Sequence, residues 1–464
     1  MLCRYCDEFR MDPGAHPRFP SPAPRWLWLL ATAALASLAG ELGCLAEPRV
    51  SDTSRHVIHI SADGLGAVYL KQYLAETPAD FPAFERLWRE GAFTLNARCD
   101  PHNSLTMPNH CTILTGRPVR QQPAAATLSA PHGIEFDYDP GYPWTVHSLG
   151  NTNVSYKASV FDVAHDHGLA TAFFSGKLKF DLFVRSYNAD NGASDILGPD
   201  NGRDKLDVHE LIDWFSPELV RTNDSNLVTR VVETLRRAAP HYTFLHLAEP
   251  DISGHFFLWG SETYREAVRH VDRQLARVFE AIEASPDLRL RTWIVLTSDH
   301  GGGDAVGWHA IPDVLSVYTI PLFIWGPGVP TGADLYELFS NRADPGPLYL
   351  DYDAPAQPLR NGDSGNIALA LLGLPPIPGS VLVPRFKPYL SIARTPFGLT
   401  LYWPVTSEAP GIEWAENCLA PAWHPFTNRV HVDAARNASS LTNDADAPAR
   451  FFRLMKTENT KTAP

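Results

Sequence analysis

The sequence predicts an α/β fold in which a mostly parallel β-sheet is sandwiched between helices, followed by a small C-terminal all-β appendage. Two observations predict the sheet. Short apolar, β-branched runs alternate with helical periodicity along the chain, which is typical of buried parallel strands joined by crossover helices. Several of these runs also stop abruptly at Asp or His. A third observation predicts the appendage, because short aromatic runs separated by turn residues follow residue 390.

Composition places the chain among ordinary globular proteins with a large core. It has 464 residues, of which 44% are hydrophobic and 20% are charged. The formal net charge of −13 argues against a protein that binds nucleic acid through a general basic surface. An anionic substrate would need local positive charge, which bound metal ions can provide.

The first 46 residues are predicted to be a targeting segment rather than part of the fold. Arg25 precedes the apolar run Trp26–Gly40, which is shorter than the roughly 20 residues of a membrane-spanning helix. We interpret this run as the core of a signal peptide cleaved after Ala46. Lipidation at Cys44 is a minor alternative, and we expect membrane contact only through the signal peptide or such a lipid.

Cysteine usage predicts the compartment. After cleavage only Cys99, Cys111 and Cys418 remain, with neither zinc-ribbon nor disulfide spacing. Export without a disulfide framework is more typical of a bacterial periplasmic or extracellular enzyme than of a small eukaryotic ectodomain. The sequence predicts no particular oligomeric state.

Residues 47–390 are predicted to form the main domain. Its predicted strands are β-branched or apolar runs, and its predicted helices show amphipathic or helical periodicity. In chain order they are strand Arg55–Ala62, helix Phe81–Glu90, a helix starting at about Met107, helix Ala158–His167, strand Ala170–Phe174, helix Asn226–Ala239, strand Tyr242–Ala248, helix Glu262–Ala284, strand Thr292–Thr297, strand Ile320–Trp325 and helix Asn366–Leu374. Residues 117–156, rich in Pro, Gly, Ser and aromatics, are predicted to be a long loop or cap.

Residues 391–464 are predicted to be a small β-rich domain and tail. The predicted strands are Gly398–Pro404, Gly411–Trp414, Val430–Val432 and Ala449–Leu454. We find no catalytic residue pattern in this part of the chain.

The segment Asn103–Gly116 contains the first candidate for catalysis. Pro is favoured in the first turn of a helix, so Pro108 predicts that the helix begins at about Met107. The hydroxyl of Thr106 would then lie at the positive end of the helix dipole, where it could attack an anionic ester. Taken alone, a Thr at this position is more often an ordinary N-cap.

Acidic and imidazole side chains follow three predicted strands. They are Asp63, Asp251 with His255, and Asp299 with His300, while His309 lies in a nearby Gly-rich loop. Carboxylates and imidazoles bind zinc-like cations, and the carboxyl ends of parallel strands meet at one edge of a sheet. Singly, each would be explained as a turn former or a surface residue, but together they predict a metal site. Lys177 and Lys179 also follow a strand and could meet a substrate anion, although such positions favour solvated loop lysines.

These residues carry a family resemblance. SADG at 61–64, TMPNH at 106–110, EPDISGH at 249–255, SDHG at 298–301 and Trp308-His309 resemble, in order, the motifs of the alkaline phosphatase superfamily. The most similar branch is the type I phosphodiesterase/nucleotide pyrophosphatase family. The resemblance covers roughly residues 55–380 and implies an alkaline phosphatase-like catalytic domain.

The resemblance implies two bound zinc ions, with other divalent ions possible. Asp63, Thr106, Asp299 and His300 match the ligands of one ion, and Asp251, His255 and His309 match those of the other. Asn109 matches a residue that hydrogen-bonds a phosphoryl oxygen together with a backbone N–H. In such sites one ion activates the nucleophile, here Thr106, which becomes covalently phosphorylated, and the other stabilises the leaving oxygen and then activates water.

Departures from the family pattern indicate which substrate classes are disfavoured. Members that cleave nucleotides have Lys before the nucleophile and an aromatic residue after it, whereas this chain has Leu105 and Met107, so a preference for a nucleotide base is in doubt. Sulfatases need a C-x-P-x-R frame, and the segment from Cys99 to Asn103 lacks the Arg. The sequence therefore predicts an exported, metal-dependent hydrolase of phosphodiester or pyrophosphate bonds in a small phosphate ester.

Two alternatives stay open. A phosphomonoesterase of the same superfamily would need an Arg against the extra phosphoryl oxygens. Arg117 and Arg120 lie one helix length beyond Thr106, and we expect them to belong to the loop instead. A catalytically silent binding protein would keep the fold but would have no chemical need for the complete ligand set.

Overall fold

The computed structural model describes residues 54–120, 131–195, 202–212, 217–303 and 308–387. Beyond these it describes the segments 391–395, 398–402, 412–415, 422–425, 438–441 and 451–454. The predicted signal peptide, Cys44, Cys418 and the predicted strand Val430–Val432 lie outside the described residues.

An eight-stranded sheet forms the centre of the main domain. Its strands are β1 (His56–Ala62), β2 (Ala92–Arg98), β3 (Thr171–Ser175), β4 (Val208–Leu211), β5 (Tyr242–Leu247), β6 (Thr292–Thr297), β7 (Thr319–Trp325) and β8 (Ala333–Asp334). Their spatial order is β4-β3-β5-β1-β6-β7-β2-β8. Neighbouring strands are parallel except at β7, which is antiparallel to both β6 and β2. The prediction of a mostly parallel sheet is confirmed.

Helices cover both faces of this sheet. They are α1 (Ala67–Glu76), α2 (Pro82–Glu90), α3 (Thr106–Thr115), α4 (Val160–Asp166), α5 (Asp181–Ser186), α6 (Pro217–Ala238), α7 (Glu249–Phe257), α8 (Glu262–Glu283), α9 (Pro286–Arg291), α10 (Leu315–Tyr318), α11 (Leu335–Leu338) and α12 (Asp363–Leu372), with 3₁₀ turns at Pro78–Asp80 and Leu178–Phe180. None of the helices in the described part of the chain has the length and apolarity that crossing a membrane requires.

Two hydrophobic cores lie on opposite faces of the sheet, and β1 contributes to both. Val57 packs into the core that contains residues of α3, α4 and α12. Ile58 and Ile60 pack into the core that contains residues of α1, α2, α6 and α8. Because each face is covered, every residue of β1, β5 and β6 is buried, including polar residues such as His59 and His246.

The strand order determines where the polar strand ends meet. Strands β3, β5, β1 and β6 are consecutive neighbours and run parallel, so their carboxyl ends lie side by side. The residues that follow these four ends are Lys177, Asp251, Asp63 and Asp299. Open parallel sheets bind ligands at this edge.

The C-terminal segments form two small antiparallel sheets. One contains β9 (Ser391–Thr395), β10 (Gly398–Tyr402) and β13 (Ala438–Leu441), and the other contains β11 (Ile412–Ala415), β12 (His424–Pro425) and β14 (Phe451–Leu454). The predicted all-β character of this part is confirmed. The predicted domain boundaries stay a prediction.

Candidate active site

Three buried carboxylates come together at the carboxyl edge of the sheet. Asp63 follows β1, Asp251 lies in the first turn of α7 directly after β5, and Asp299 follows β6. Gly64 allows the first two to approach, because its φ is +70° and an added Cβ would lie 2.7 Å from the Cα of Asp251. Only glycine tolerates both the left-handed backbone and this contact without strain.

The first group of potential ligands contains Asp63, Asp299 and His300, whose donor atoms lie within 4.8 Å of one another. The Nε2 atom of His300 lies 3.1 Å from Asp299 Oδ2 and 3.5 Å from Asp63 Oδ1. The hydroxyl of Thr106 lies 3.5 Å from the same Nε2 atom. The structure therefore brings together the four residues that the resemblance matches to one metal ion.

The second group contains Asp251, His255 and His309. Asp251 Oδ1 lies 3.3 Å from His255 Nε2 and 3.6 Å from His309 Nε2, and the two imidazole Nε2 atoms are 3.0 Å apart. His300 Nε2 is also 4.0 Å from Asp251 Oδ1, so this imidazole lies between the two groups. The groups are adjacent and share one face of the site.

Backbone carbonyls orient two of the imidazoles. Nδ1 of His300 lies 2.8 Å from the carbonyl oxygen of Gly301, and Nδ1 of His309 lies 2.7 Å from that of Ser104. A donated Nδ1–H leaves the Nε2 lone pair free to bind a cation. This is the arrangement that metal-binding imidazoles adopt.

The surroundings of three carboxylate oxygens indicate whether these residues fit a metal ion. Asp63 Oδ1, Asp251 Oδ1 and Asp299 Oδ2 are buried and accept no hydrogen bond of good geometry; their nearest imidazole Nε2 atoms lie 3.5, 3.3 and 3.1 Å away. Burying a carboxylate oxygen without a partner is costly, and a cation would remove that cost. These are also the oxygens nearest the imidazole Nε2 atoms, and a mixed set of carboxylate and imidazole donors suits zinc and related divalent ions. The residues therefore fit a metal ion.

Thr106 is the first residue of α3, and its side chain is buried. The N-cap of this helix is Leu105, and no side chain caps it, so the interpretation of Thr106 as an ordinary N-cap is wrong. His110 braces the first turn, because its Nδ1 lies 2.8 Å from the carbonyl oxygen of Thr106 and its Nε2 lies 2.8 Å from Ser61 Oγ. The hydroxyl of Thr106 is thus left to face the carboxylates and imidazoles.

Lys177 is a buried member of the site. Its Nζ atom lies 2.6 Å from Asp63 Oδ2, 2.7 Å from Asp251 Oδ2 and 3.5 Å from the Thr106 hydroxyl. The expectation of a solvated loop lysine is wrong for this residue, because it follows β3, which lies directly beside β5. Lys177 binds the Oδ2 atom of each carboxylate and leaves the unpartnered Oδ1 atoms for a metal ion.

Burial and charge shift the pKa values of this cluster in opposite directions. Burial alone would lower the pKa of Lys177, but Asp251 and Asp63 outweigh it and raise that pKa. Burial alone would likewise raise the pKa of each of these carboxyls, but Lys177 beside them holds both well below their usual range. Burial would lower the pKa of His300, yet Asp299 and its neighbours raise it to about 9. All of these groups are therefore charged near neutral pH when no metal is bound.

Asp137 is a site residue that the sequence did not predict. It belongs to the predicted cap, and its Oδ1 atom accepts a 2.9 Å hydrogen bond from the backbone N–H of Met107 at the start of α3. Lys179 pairs with the same oxygen at 2.7 Å. The sequence indicated only that Asp137 belongs to residues 117–156, the segment predicted to be a long loop or cap.

The amide of Asn109 is used within the protein. Its Nδ2 donates to the carbonyl oxygens of Asn103 and Leu105 at 2.7 and 3.0 Å, and its Oδ1 accepts from the backbone N–H of Asp100 and from Asn361. This network fixes the loop before α3. A hydrogen bond from Asn109 to a phosphoryl oxygen, as the resemblance implies, would require one of these bonds to open.

Cys99 lacks the properties of a reactive nucleophile. It is buried, and burial raises the pKa of its thiol. The reactive form of a cysteine is the thiolate, which this environment disfavours. Together with the missing Arg of the C-x-P-x-R frame, this disfavours Cys99 as a sulfatase-type nucleophile.

A cleft of about 510 Å³ opens over the second group of ligands. It is lined by Asp137, Lys177, Leu178, Lys179, Asp251, Ile252, His255, Phe256 and Trp308. The cleft therefore gives access to the potential metal ligands Asp251 and His255 and to Lys177, whose Nζ atom lies 3.5 Å from the Thr106 hydroxyl. A substrate could reach the cluster through this cleft.

Comparisons with known proteins agree with the fold. Residues 57–122 and 132–326, more than half of the chain, match the family described as type I phosphodiesterase / nucleotide pyrophosphatase. A comparison with curated proteins found no match.

Solved structures with a similar fold include three whose descriptions are informative. A protein in the alkaline phosphatase superfamily from Vibrio parahaemolyticus is 14% identical, with a TM-score of 0.40 over 79% of this chain and 81% of that one. BT1596, a 2-O GAG sulfatase, is 12% identical, with a TM-score of 0.42 over 75% and 82%. Ps i-CgsB in complex with k-i-k-neocarrahexaose is 16% identical, with a TM-score of 0.45 over 76% and 84%. Likenesses of this degree do not bear on the reaction.

Proposed function

Because the chain belongs to the type I phosphodiesterase/nucleotide pyrophosphatase family, a branch of the alkaline phosphatase superfamily, we propose that it cleaves phosphodiester or pyrophosphate bonds. The superfamily consists of hydrolases of phosphate and sulfate esters, and this chain is one of them. The observation that carries the proposal is the hydroxyl of Thr106, held 3.5 Å from both His300 Nε2 and Lys177 Nζ beside three buried carboxylates.

We propose two zinc ions as the metals. Asp63, Asp299 and His300 would bind one ion together with Thr106, and Asp251, His255 and His309 would bind the other. When bound, such ions lower the pKa of a coordinated hydroxyl or water and offset charge on oxygens bound to phosphorus. The unpartnered oxygens of Asp63, Asp251 and Asp299 support this assignment.

The protein's own residues would act as follows. Thr106 Oγ1 attacks phosphorus and loses its hydroxyl proton to solvent, and the bond to the leaving oxygen breaks, so that the leaving group departs and the phosphoryl group stays on the Thr106 oxygen. The leaving oxygen takes up a proton from solvent. The N-terminal end of α3 and the ammonium of Lys177 offset the negative charge on the phosphoryl oxygens. Water then attacks the same phosphorus and loses a proton to solvent, the bond to the Thr106 oxygen breaks, and Thr106 takes up a proton to regain its hydroxyl. The braced position of α3 keeps the hydroxyl aligned through both steps.

Lys177 also favours a second candidate, a phosphomonoesterase. A monoester carries one more charged non-bridging oxygen than a diester, so it benefits more from an additional fixed cation. Arg117 does not supply this cation in the structure, because its guanidinium donates a hydrogen bond to the carbonyl oxygen of Pro378. Lys177 instead lies 3.5 Å from the proposed nucleophile. The diester reaction rests on the family, and the monoester reaction rests on this one residue.

A silent binding protein is a weaker account. Three buried carboxylates, three imidazoles and a buried ammonium cost stability, and a protein without a reaction would have no chemical need for them. We propose that the substrate is a small phosphate ester. Export to the periplasm or the outside of the cell is our proposal from the apolar run Trp26–Gly40, which lies outside the described residues.

A paired assay tests the proposed function. Metal-loaded protein from residue 47 onward is given bis-4-nitrophenyl phosphate or 4-nitrophenyl phosphate, each with and without chelator. We expect chelator-sensitive hydrolysis with a higher kcat/KM for the diester. A preference for the monoester would support the second candidate, and no turnover of either ester by metal-loaded protein would contradict both hydrolase assignments.

A further inference from the structure

Three large apolar side chains are exposed on the wall of the cleft. Leu178, Phe256 and Trp308 are 45%, 56% and 53% exposed, and all three line it. Exposed apolar surface is unfavourable in water, and a contiguous group of such side chains beside a site marks a place where an apolar ligand binds. Most large hydrophobic residues in the described part of this chain are instead buried in the two cores.

This apolar wall continues directly from the candidate metal ligands. Phe256 follows His255 on α7, and the ring of Trp308 lies 5.3 Å from the His255 ring in an edge-to-face arrangement. His255 and Asp251 belong to the second ligand group, which in the proposed reaction would hold the ion that stabilises the leaving oxygen. The leaving group would therefore lie beside these two residues, in the part of the cleft that they line.

From this arrangement we infer that the leaving group of the natural substrate is apolar, and that Leu178, Phe256 and Trp308 hold it. The inference rests on the proposed function, because it takes the second ligand group as the one beside the leaving oxygen. It names the class of leaving group, which the family assignment alone does not.

The charged residues of the cleft favour an apolar leaving group over a polar one. Lys179 pairs with Asp137 at 2.7 Å, and Lys177 pairs with Asp251 at 2.7 Å. A leaving group that needed hydrogen bonds from these residues would have to compete with existing ion pairs. An apolar group would contact the wall and leave both pairs intact. The cleft volume of about 510 Å³ is within the usual range for small-molecule sites.

The test compares phenyl and 2-naphthyl esters, whose leaving groups have similar acidity but different apolar area. Methyl phosphodiesters and phosphomonoesters of both are used, so that either reaction type reports on the cleft. The second ring adds roughly 50 Å² of apolar surface, from which we expect about a tenfold higher kcat/KM for the naphthyl ester. The ratio within one protein is insensitive to changes in metal occupancy.

Variants of the apolar wall test whether Phe256 and Trp308 cause the preference for the naphthyl ester. Phe256→Ala and Trp308→Ala should each reduce the naphthyl-to-phenyl ratio to about twofold, because the second ring loses one side of its contact. The matched control is Phe257→Ala, since Phe257 is the next residue of α7, is 44% exposed and does not line the cleft. It should keep the tenfold ratio.

Binding measurements separate this inference from the proposed function. Calorimetry with 2-naphthylphosphonate and phenylphosphonate needs no turnover, and we expect tighter binding of the naphthyl compound to the metal-loaded wild type. If neither ester is hydrolysed but this binding preference depends on Phe256 and Trp308, the proposed function fails and the apolar site stands. A naphthyl-to-phenyl ratio near one, in kcat/KM for the esters or in affinity for the phosphonates, would overturn the inference. It would also be overturned if Phe257→Ala lowered this ratio as much as Phe256→Ala does.

Discussion

Replacing Lys177 with Met removes the ammonium that connects the two groups of ligands. Its Nζ lies 2.6 Å from Asp63 and 2.7 Å from Asp251, and all three side chains are almost fully buried. The variant therefore leaves two buried carboxylates without their cation. Removing one partner of a buried ion pair costs about 3 to 5 kcal/mol, so we expect the free energy of unfolding of metal-free protein to fall by that amount.

Urea unfolding of chelator-treated protein measures this change. Lys71→Met is the control, because Lys71 is exposed and surface substitutions usually change stability by less than about 0.5 kcal/mol. Adding zinc should restore more stability to Lys177→Met than to the wild type, since bound cations replace the lost charge. Equal stability of the Lys177 and Lys71 variants in chelator would refute the bridging role.

The pKa shifts also predict how the stability difference between wild type and Lys177→Met changes with pH. The pKa values of Asp63 and Asp251 are lowered, so their contribution to stability is present above the ordinary carboxyl pKa of about 4 and is lost as pH falls below it. The pKa of Lys177 is raised, so its contribution is present below the ordinary lysine pKa of about 10.4 and is lost only at higher pH. The difference between wild type and Lys177→Met should therefore be largest between these limits and should shrink in acid.

Substitutions at three further positions test other parts of the site. Thr106→Ala should lower kcat by about 10³-fold or more, whereas Thr106→Ser, which keeps a hydroxyl, should stay within about 100-fold of the wild type in the same assay. Gly64→Ala should weaken zinc binding measured by calorimetry by at least about tenfold, because the new Cβ would meet the Asp251 backbone at 2.7 Å; unchanged affinity would refute that reasoning. Asp137→Asn removes a negative charge beside the Met107 N–H and should lower KM for an anionic ester by about three- to tenfold, while a raised KM would mean that Asp137 assists binding.

The sequence predicted those parts of the fold that have a local signal. Strands β1, β5 and β6 are short apolar runs that end just before an acidic motif, and each was predicted within one residue of its bounds. Because parallel strands share a carboxyl edge, the meeting of Asp63, Asp251 and Asp299 followed from the strand assignment alone. By contrast, β2 was not predicted. Its mixed sequence AFTLNAR pairs with the distant β7 through a register shift between Thr94 and Ala97.

The residues that the sequence missed depend on contacts between distant segments. The local sequence does not distinguish Lys177 from Lys179. Lys177 is buried, whereas Lys179 is partly exposed in an ion pair with Asp137. This difference in burial arises because β3, which precedes Lys177, lies beside β5. Asp137 contacts the start of α3 from a segment that lies beyond that helix in the sequence, and no local pattern indicates this contact. Motif reasoning found the acidic and imidazole residues at strand ends, but it missed the burial of Lys177 and the contact of Asp137.

The stereochemistry at phosphorus tests the central claim, a phosphoryl group carried on Thr106, most directly. A diester made chiral by one sulfur on phosphorus is hydrolysed by metal-loaded protein in ¹⁸O-labelled water, and the configuration of the product is determined. Each in-line displacement inverts phosphorus, so attack by Thr106 followed by attack by water predicts net retention. Net inversion would mean that water attacks the ester in a single step, and it would contradict Thr106 as the nucleophile.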